Sequence, residues 1–456
     1  MATRAAVRQK SIRLKQVLRY LALGSIMSPP RRKLTVDEAD DDEDDADDEG
    51  AAVAGKPKHT VQEVVTRFKD RYLATVQRVW AHLLLLTSIV ACKTVALGGK
   101  VEQCPACGLK RITFNACHNR CCPNCQAMQR LKWVEERLAR MLPIGHFHVV
   151  FTLPAQLRDL AFRNMRRIPY GILLSAAAET LQTLAAERLN AKLGITLIVH
   201  TWSREMIFHP HIHAIVTSGG LSIDGSTWVP CAPDLFPQAE LLARFREIFL
   251  RKLARLEFLG QLDTDGVAGW STVAERAATT SLLQGMAWVG HIREPFTGVE
   301  ALTKYLGQYT NRMVIADSRI LAVDDDTVTI ATKDGKTLTL AGEEFIRRFL
   351  LHIPPPRASR VRHYGLYCSL FANSLLETAR QLVKPGAPPP VSHQRETWEQ
   401  RLLRVTGVDP LICPRCGKGR MQLVEELGTE LEMLETQETQ ETQETEPEEQ
   451  WSVSTS

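Results

Sequence analysis

Cysteine and histidine carry the most specific chemistry in this chain, because both recur at spacings that metal ligands use. Cys104-Pro-Ala-Cys107-Gly and Cys122-Pro-Asn-Cys125 are two CxxC knuckles with fourteen residues between them. Each such turn aims two thiolates at one tetrahedral metal, so the spacing predicts one zinc ribbon with Cys104, Cys107, Cys122 and Cys125 as ligands. Four thiolates leave no open coordination position, which makes that Zn²⁺ structural. Cys117, His118 and Cys121 lie between the knuckles and are surplus to the ribbon. Either they provide a second metal site or one of them exchanges with a knuckle ligand. Far downstream stands a half knuckle, Cys413-Pro-Arg-Cys416-Gly, whose missing ligands come from elsewhere in the chain or from a second chain. Lys110, Arg111, Arg120 and Arg130 surround the cluster. Their charge suits phosphate contact, with a solvated surface as the plain alternative.

A second constellation is His209-Pro-His211-Ile-His213, inside the apolar run IFHPHIHAIV. Side chains two apart in a strand share one face, so His211 and His213 form a pincer for a divalent cation. A third ligand should come from a neighbouring strand. His200, in LIVHTW, is placed for this if the two segments pair as a hairpin; His209 competes, with Pro210 turning it away. The third constellation is Tyr305-Leu-Gly-Gln-Tyr309 on a helix expected over 300–315, where the i, i+4 spacing puts both phenols on one face. Tyrosines so spaced are ordinarily half-buried core edges, although the flanks Lys304, Asn311 and Arg312 are polar.

The elements that must hold these residues follow from periodicity. Helical patterns run from Thr60 through the apolar stretch at 81–92, then over 128–142, 171–193, 240–260 and 343–353. β-branched and aromatic runs predict strands over 146–154, 194–202 and 204–220, and alternating strands over 319–340. The stretch at 81–92 is too short to span ~30 Å of hydrocarbon and reads as a buried helix. Nothing at the N-terminus reads as a secretory signal. Eleven cysteines, six of them within 104–125, are metal-site clustering in a reducing compartment and not a disulfide framework.

The formal charge of +4 hides a sharp partition. Residues 37–49 hold 11 acids and no base, and 425–449 hold another 11 and no base. Residues 50–424 carry 47 bases against 30 acids, so the central body is strongly basic. That balance favours a polyanionic partner, nucleic acid before membrane headgroups. The acidic run at 37–55 reads as a disordered linker after a basic leader, and the TQE-repeat tail as a disordered end.

Taken in order, CPACGLKRITFNACHNRCCPNCQ, HFHVVFTLP, HTW, HPHIHAIVTSGG, EALTKYLGQYTNR and EEFIRRFLLHIPPPRASRVRHYG resemble the rolling-circle transposases of the IS91 family. These are two-tyrosine members of the HUH endonuclease superfamily, and the likeness covers roughly residues 60–370. It implies an α+β fold: an HUH nuclease palm with a central antiparallel sheet, preceded by a helical and zinc-ribbon domain. It carries the metal pair onto His211 and His213 and the nucleophiles onto Tyr305 and Tyr309. The position of His200 is similar to the three-histidine arrangement of conjugative relaxases in the same superfamily. Cys121 stands where that family's zinc motif is expected to have histidine, and the leader, linker and tail are unlike it.

The expected organisation is a leader and acidic linker (1–59), a helical and zinc-ribbon DNA-binding domain (60–142), the nuclease domain (143–370), a C-terminal segment with a CxxC knuckle (371–424) and an acidic tail (425–456). The implied activity is nicking and rejoining of single-stranded DNA at transposon ends and target DNA through a 5′-phosphotyrosine, with catalytic Mg²⁺ or Mn²⁺ and structural Zn²⁺. The expected setting is the bacterial cytoplasm at the nucleoid, with no membrane association. A plasmid replication initiator or relaxase would use the same residues, and a non-catalytic zinc-ribbon DNA-binding protein would use only the cysteines.

Overall fold

The computed structural model describes residues 57–76, 79–125, 127–296, 298, 302, 314–369, 374–386 and 396–429. The leader, the acidic run and the TQE tail therefore lie outside the described residues, and so do Tyr305 and Tyr309. Among the described residues twelve strands follow one another: β1 (Gly99–Gln103), β2 (Lys110–Phe114), β3 (His146–Thr152), β4 (Ala191–Trp202), β5 (Phe208–Ser222), β6 (Trp228–Pro230), β7 (Gly290–Phe296), β8 (Ile320–Val323), β9 (Thr327–Ala331), β10 (Thr337–Ala341), β11 (Val361–Gly365) and β12 (Gln422–Leu427). Among the described residues no helix is long and apolar enough to cross a membrane.

The chain divides into two compact units. One, here the cysteine unit, comprises Met1–Met128, Val323–Asp326 and Arg395–Ser456; the other, the sheet unit, comprises Gln129–Ala322 and Thr327–Gln394. The described segment 396–429 thus folds with the described N-terminal residues, and the sheet unit interrupts the cysteine unit along the chain.

The sheet unit is mixed helix and antiparallel sheet. Its central sheet has the order β11-β4-β5-β3-β7, with β6 paired to β5, and every pairing is antiparallel. Helices Leu174–Leu189 and Gln238–Phe258 supply much of the layer that covers one face. Phe147, Val149 and Phe151 of β3, Ile195, Leu197 and Val199 of β4, and Ile212, Ala214 and Val216 of β5 all join that core. The period-two geometry of a strand sends the residues between them to the other face. There Ile198, Ile215 and Leu221 meet Leu366, Tyr367, Leu376 and Val134 in a second apolar cluster. Phe151 and Phe245 hold helix to sheet with ring centroids 4.6 Å apart. Truncating either ring to alanine would cost about 3–5 kcal/mol.

In the cysteine unit, β12, β1 and β2 form a three-stranded sheet in that order, with β1 central. Among the described residues two helices precede it, Val61–Thr75 and Trp80–Ala91, where the periodicity predicts one continuous helix. Thr60 caps the first, its side chain accepting the Glu63 amide at 3.1 Å. The second buries Leu85, Leu86 and Ile89, as the apolar stretch at 81–92 requires.

Candidate active site and metal centres

The hairpin expected of the two histidine-bearing segments forms as β4 and β5. Its register sets His200 directly opposite His211, and Ile198 opposite His213. All three histidines fall on the face turned away from the helical core, and one ligand atom from each lies within 4.8 Å of the others. The Nε2 atoms of His211 and His213 stand 3.1 Å apart. His200 stacks on Trp202 with centroids 4.5 Å apart and meets His213 edge-on at 4.6 Å. His200, His211 and His213 are each no more than 4% exposed.

Burying three imidazoles together is costly unless their polar atoms are satisfied. The Nδ1 of His211 lies 2.9 Å from the His209 carbonyl, to which it donates. The Nδ1 of His213 lies 3.0 Å from Nε2 of His148. These contacts turn the Nε2 atoms inward and set the tautomers a cation needs, so the donor set fits a divalent metal. His209 is outside the cluster, its Nδ1 accepting from the Arg158 guanidinium at 3.2 Å.

His148 is a residue the sequence reading passed over. The signal was present: His146-Phe-His148 repeats, on β3, the period-two spacing of His211-Ile-His213. His146 has a different task. Its Nδ1 meets the Ile144 carbonyl at 3.0 Å and its Nε2 accepts from the Tyr367 hydroxyl at 2.7 Å. Burial pushes the His146 imidazole down to about 4 and pushes the Tyr367 phenol up. Tyr367, which also accepts the Leu142 amide at 3.1 Å, is thereby held as a neutral structural phenol.

The zinc ribbon expected from Cys104, Cys107, Cys122 and Cys125 does not form. Instead Cys122 and Cys125 gather with Cys92 and Cys117, while Cys104 and Cys107 gather with Cys413 and Cys416. The cause is the β1–β2 hairpin. Cys104 and Cys107 occupy its turn, and β2 then pairs along the whole of β1, from Lys110 opposite Gln103 to Phe114 opposite Gly99. Five residues of strand carry the chain about 17 Å from the first knuckle before Cys117 is reached. There it meets Cys92, which caps the helix Trp80–Ala91. Gln62 donates to the Val90 and Cys92 carbonyls at 3.0 and 2.9 Å, and its Oε1 accepts from Asn124 at 2.7 Å, so one side chain braces both arms of this cluster. Cys92, at the end of an apolar helix, gave no spacing signal. Cys121 and His118 belong to neither cluster; Cys121 is buried and His118 is exposed at φ 53°. Arg111 is engaged with Glu102, at 2.9 and 2.7 Å, and with the Pro410 carbonyl at 3.0 Å.

The family described as "Putative transposase" matches residues 194–374, and the IS91-type "Transposase zinc-binding domain" matches residues 64–153. "Putative transposase y4qJ" of Sinorhizobium fredii is 36% identical over 384 residues, spanning 80% of this chain and 94% of that protein. The transposase for insertion sequence element IS801 of Pseudomonas savastanoi pv. phaseolicola is 27% identical over 365 residues, 76% of this chain and 87% of that one. Among solved structures, the conjugative relaxase TrwC in complex with OriT DNA aligns at 18% identity over 36% of this chain and 70% of that chain, with a TM-score of 0.22. By its similarity to the transposase y4qJ along nearly that protein's whole length, and by the domain matched at 64–153, the chain belongs to the IS91 family of transposases and carries the family's zinc-binding domain near its N-terminus.

Proposed function

We propose that this transposase nicks and rejoins single-stranded DNA at transposon ends through a covalent 5′-phosphotyrosine, driving rolling-circle transposition. The observation that carries the reading is the buried triad His200, His211 and His213 on adjacent strands β4 and β5. Mg²⁺ or Mn²⁺ held there would supply Lewis-acid polarisation of the scissile phosphate and offset charge developing on its oxygens. His148 and the His209 carbonyl keep the triad's rings oriented. Tyr305 and Tyr309 are the proposed nucleophiles. A phenol with a pKa near ~10 attacks poorly at neutral pH, so it depends on this electrostatic help. Its oxygen forms a bond to phosphorus, the bond from phosphorus to the 3′-oxygen breaks, and the proton ends on the released 3′-OH. The phosphotyrosine keeps the energy of the broken bond, so rejoining needs no outside cofactor. The second tyrosine allows another cleavage while the first strand stays attached.

The basic body, 47 bases against 30 acids over residues 50–424, supports the choice of a nucleic-acid substrate. The test is incubation with a single-stranded oligonucleotide of the element end and Mn²⁺, followed by denaturing electrophoresis. A covalent adduct mapping to Tyr305 or Tyr309 is expected. Cleavage without any adduct, or an adduct on Tyr364 or Tyr367, would overturn the reading.

A further inference from the structure

The second cysteine cluster joins residues more than three hundred positions apart, and the matched zinc-binding family stops at residue 153. Its two halves are built alike. The Gly108 amide donates to the Cys104 carbonyl at 2.9 Å, and the Gly417 amide donates to the Cys413 carbonyl at 2.9 Å. Both glycines have positive φ, 72° and 63°, the conformation that closes a CxxC turn. The Cys104 amide donates to the Leu109 carbonyl at 2.9 Å and the Cys413 amide to the Gly419 carbonyl at 2.8 Å. Across the pair, Cys104 and Cys416 sulfurs lie 3.7 Å apart and Cys107 and Cys413 sulfurs 3.6 Å apart. A tetrahedron of thiolates around Zn²⁺ puts sulfurs about 3.8 Å apart, whereas a disulfide needs ~2 Å. Gly419 sits so close that a Cβ there would collide with the Cys104 sulfur.

Among the described residues the rest of the C-terminal segment buries little apolar surface. Among the described side chains between 396 and 429 the buried residues are Arg401, Cys413, Gly419 and Met421, and two of these belong to the knuckle. β12 pairs with β1 through its backbone, yet Leu423 and Val424 are more than half exposed. Edge pairing without apolar burial is weak.

We propose that a second structural zinc, held by Cys104, Cys107, Cys413 and Cys416 of one chain, fastens the C-terminal segment to the N-terminal hairpin. The cysteine unit is then a split two-zinc domain, closed only after the sheet unit has been inserted between its halves. This is independent of the DNA chemistry proposed above. Cys413 and Cys416 supply what the N-terminal knuckle lacks, and Cys92 and Cys117 do the same for the other knuckle.

The test counts zinc in the full-length protein by plasma mass spectrometry. Wild type should hold two zinc ions per chain. Cys104→Ser/Cys107→Ser and Cys413→Ser/Cys416→Ser should each lose one, and combining them should lose no more. Cys104→Ser/Cys107→Ser combined with Cys122→Ser/Cys125→Ser should lose both. A single zinc in wild type, or full zinc in Cys413→Ser/Cys416→Ser, would sink the proposal. Restoration of the second zinc on mixing Cys104→Ser chains with Cys413→Ser chains would show a site shared between chains and overturn the closure within one. Should the variants misfold, hydrogen exchange on the wild-type protein decides. Mild chelation should expose β12 to exchange while helix Val61–Thr75 stays protected, and added zinc should reverse it. Unchanged protection of β12 after loss of zinc would refute the fastening.

Discussion

The Nε2 of His148 lies 3.0 Å from the Nδ1 of His213, across the β3–β5 ladder and on the face that carries the triad. The contact makes His213 present its other nitrogen to the cluster, so His148 acts as a positioning residue. His148→Leu should weaken Mn²⁺ affinity about 10–100-fold, the range for such supporting partners. His148→Gln, whose carbonyl oxygen can accept the same hydrogen bond, should recover most of it. Titration calorimetry with Mn²⁺ is the measurement, and equal affinities in the two variants would reduce His148 to a packing residue.

His211→Ala and His213→Ala should each abolish metal-dependent cleavage while leaving single-strand affinity nearly intact, because that affinity rests on the basic surface. His200→Ala should match them and His209→Ala should be milder, since Arg158 engages His209 outside the cluster. Gel-shift and cleavage assays run side by side read both effects. Full cleavage by His200→Ala with severe loss in His209→Ala would move the role to His209.

Tyr→Phe removes one oxygen and almost no volume, so it tests chemistry while sparing packing. Tyr305→Phe and Tyr309→Phe should each retain one covalent cleavage through the other tyrosine, and each should fail in a cell-based mobility assay. The double variant should bind DNA and form no adduct. Mass spectrometry of the trapped peptide identifies the attacking residue.

Acid should loosen the sheet unit through neutral buried histidines. Burial holds His146 and His352 down to about 4 and His363 to about 3. Between roughly pH 6.5 and pH 4 the unfolded chain takes up protons that the folded state refuses, so stability falls as pH falls. It should be complete above about pH 7. Amide exchange in β3–β5 should therefore speed up steadily from pH 7 to pH 4.5, after correction for intrinsic rates. A flat corrected profile would mean these rings are not held neutral.

The strands and the triad were legible in the sequence for one physical reason: a strand alternates its side chains, and apolar residues on one parity leave the other parity readable. In IFHPHIHAIV the alternation puts His211 and His213 on one face with Ile212 behind them, and in the structure Ile212 joins the helical core, with Ala214 and Val216, while the two histidines lie on the other face. His200 joined that pair because β-branched runs on either side of a short turn pair as a hairpin. Tyr367 could not be told from a nucleophile by its type; only its burial against His146 and Leu142 shows a structural phenol.

By itself, then, the sequence determined the ligand types, the strand faces, the basic body and the family resemblance, all of which rest on local spacing and composition. Only the tertiary structure decided which cysteines gather together. Two CxxC knuckles close in the chain are parted by a fully paired hairpin, and each gathers with a different pair of cysteines, a pairing that spacing alone does not give. Ligand sets are closed by distances in space, and a strand of five residues is enough to separate neighbours in sequence while the fold brings Cys413 to Cys107.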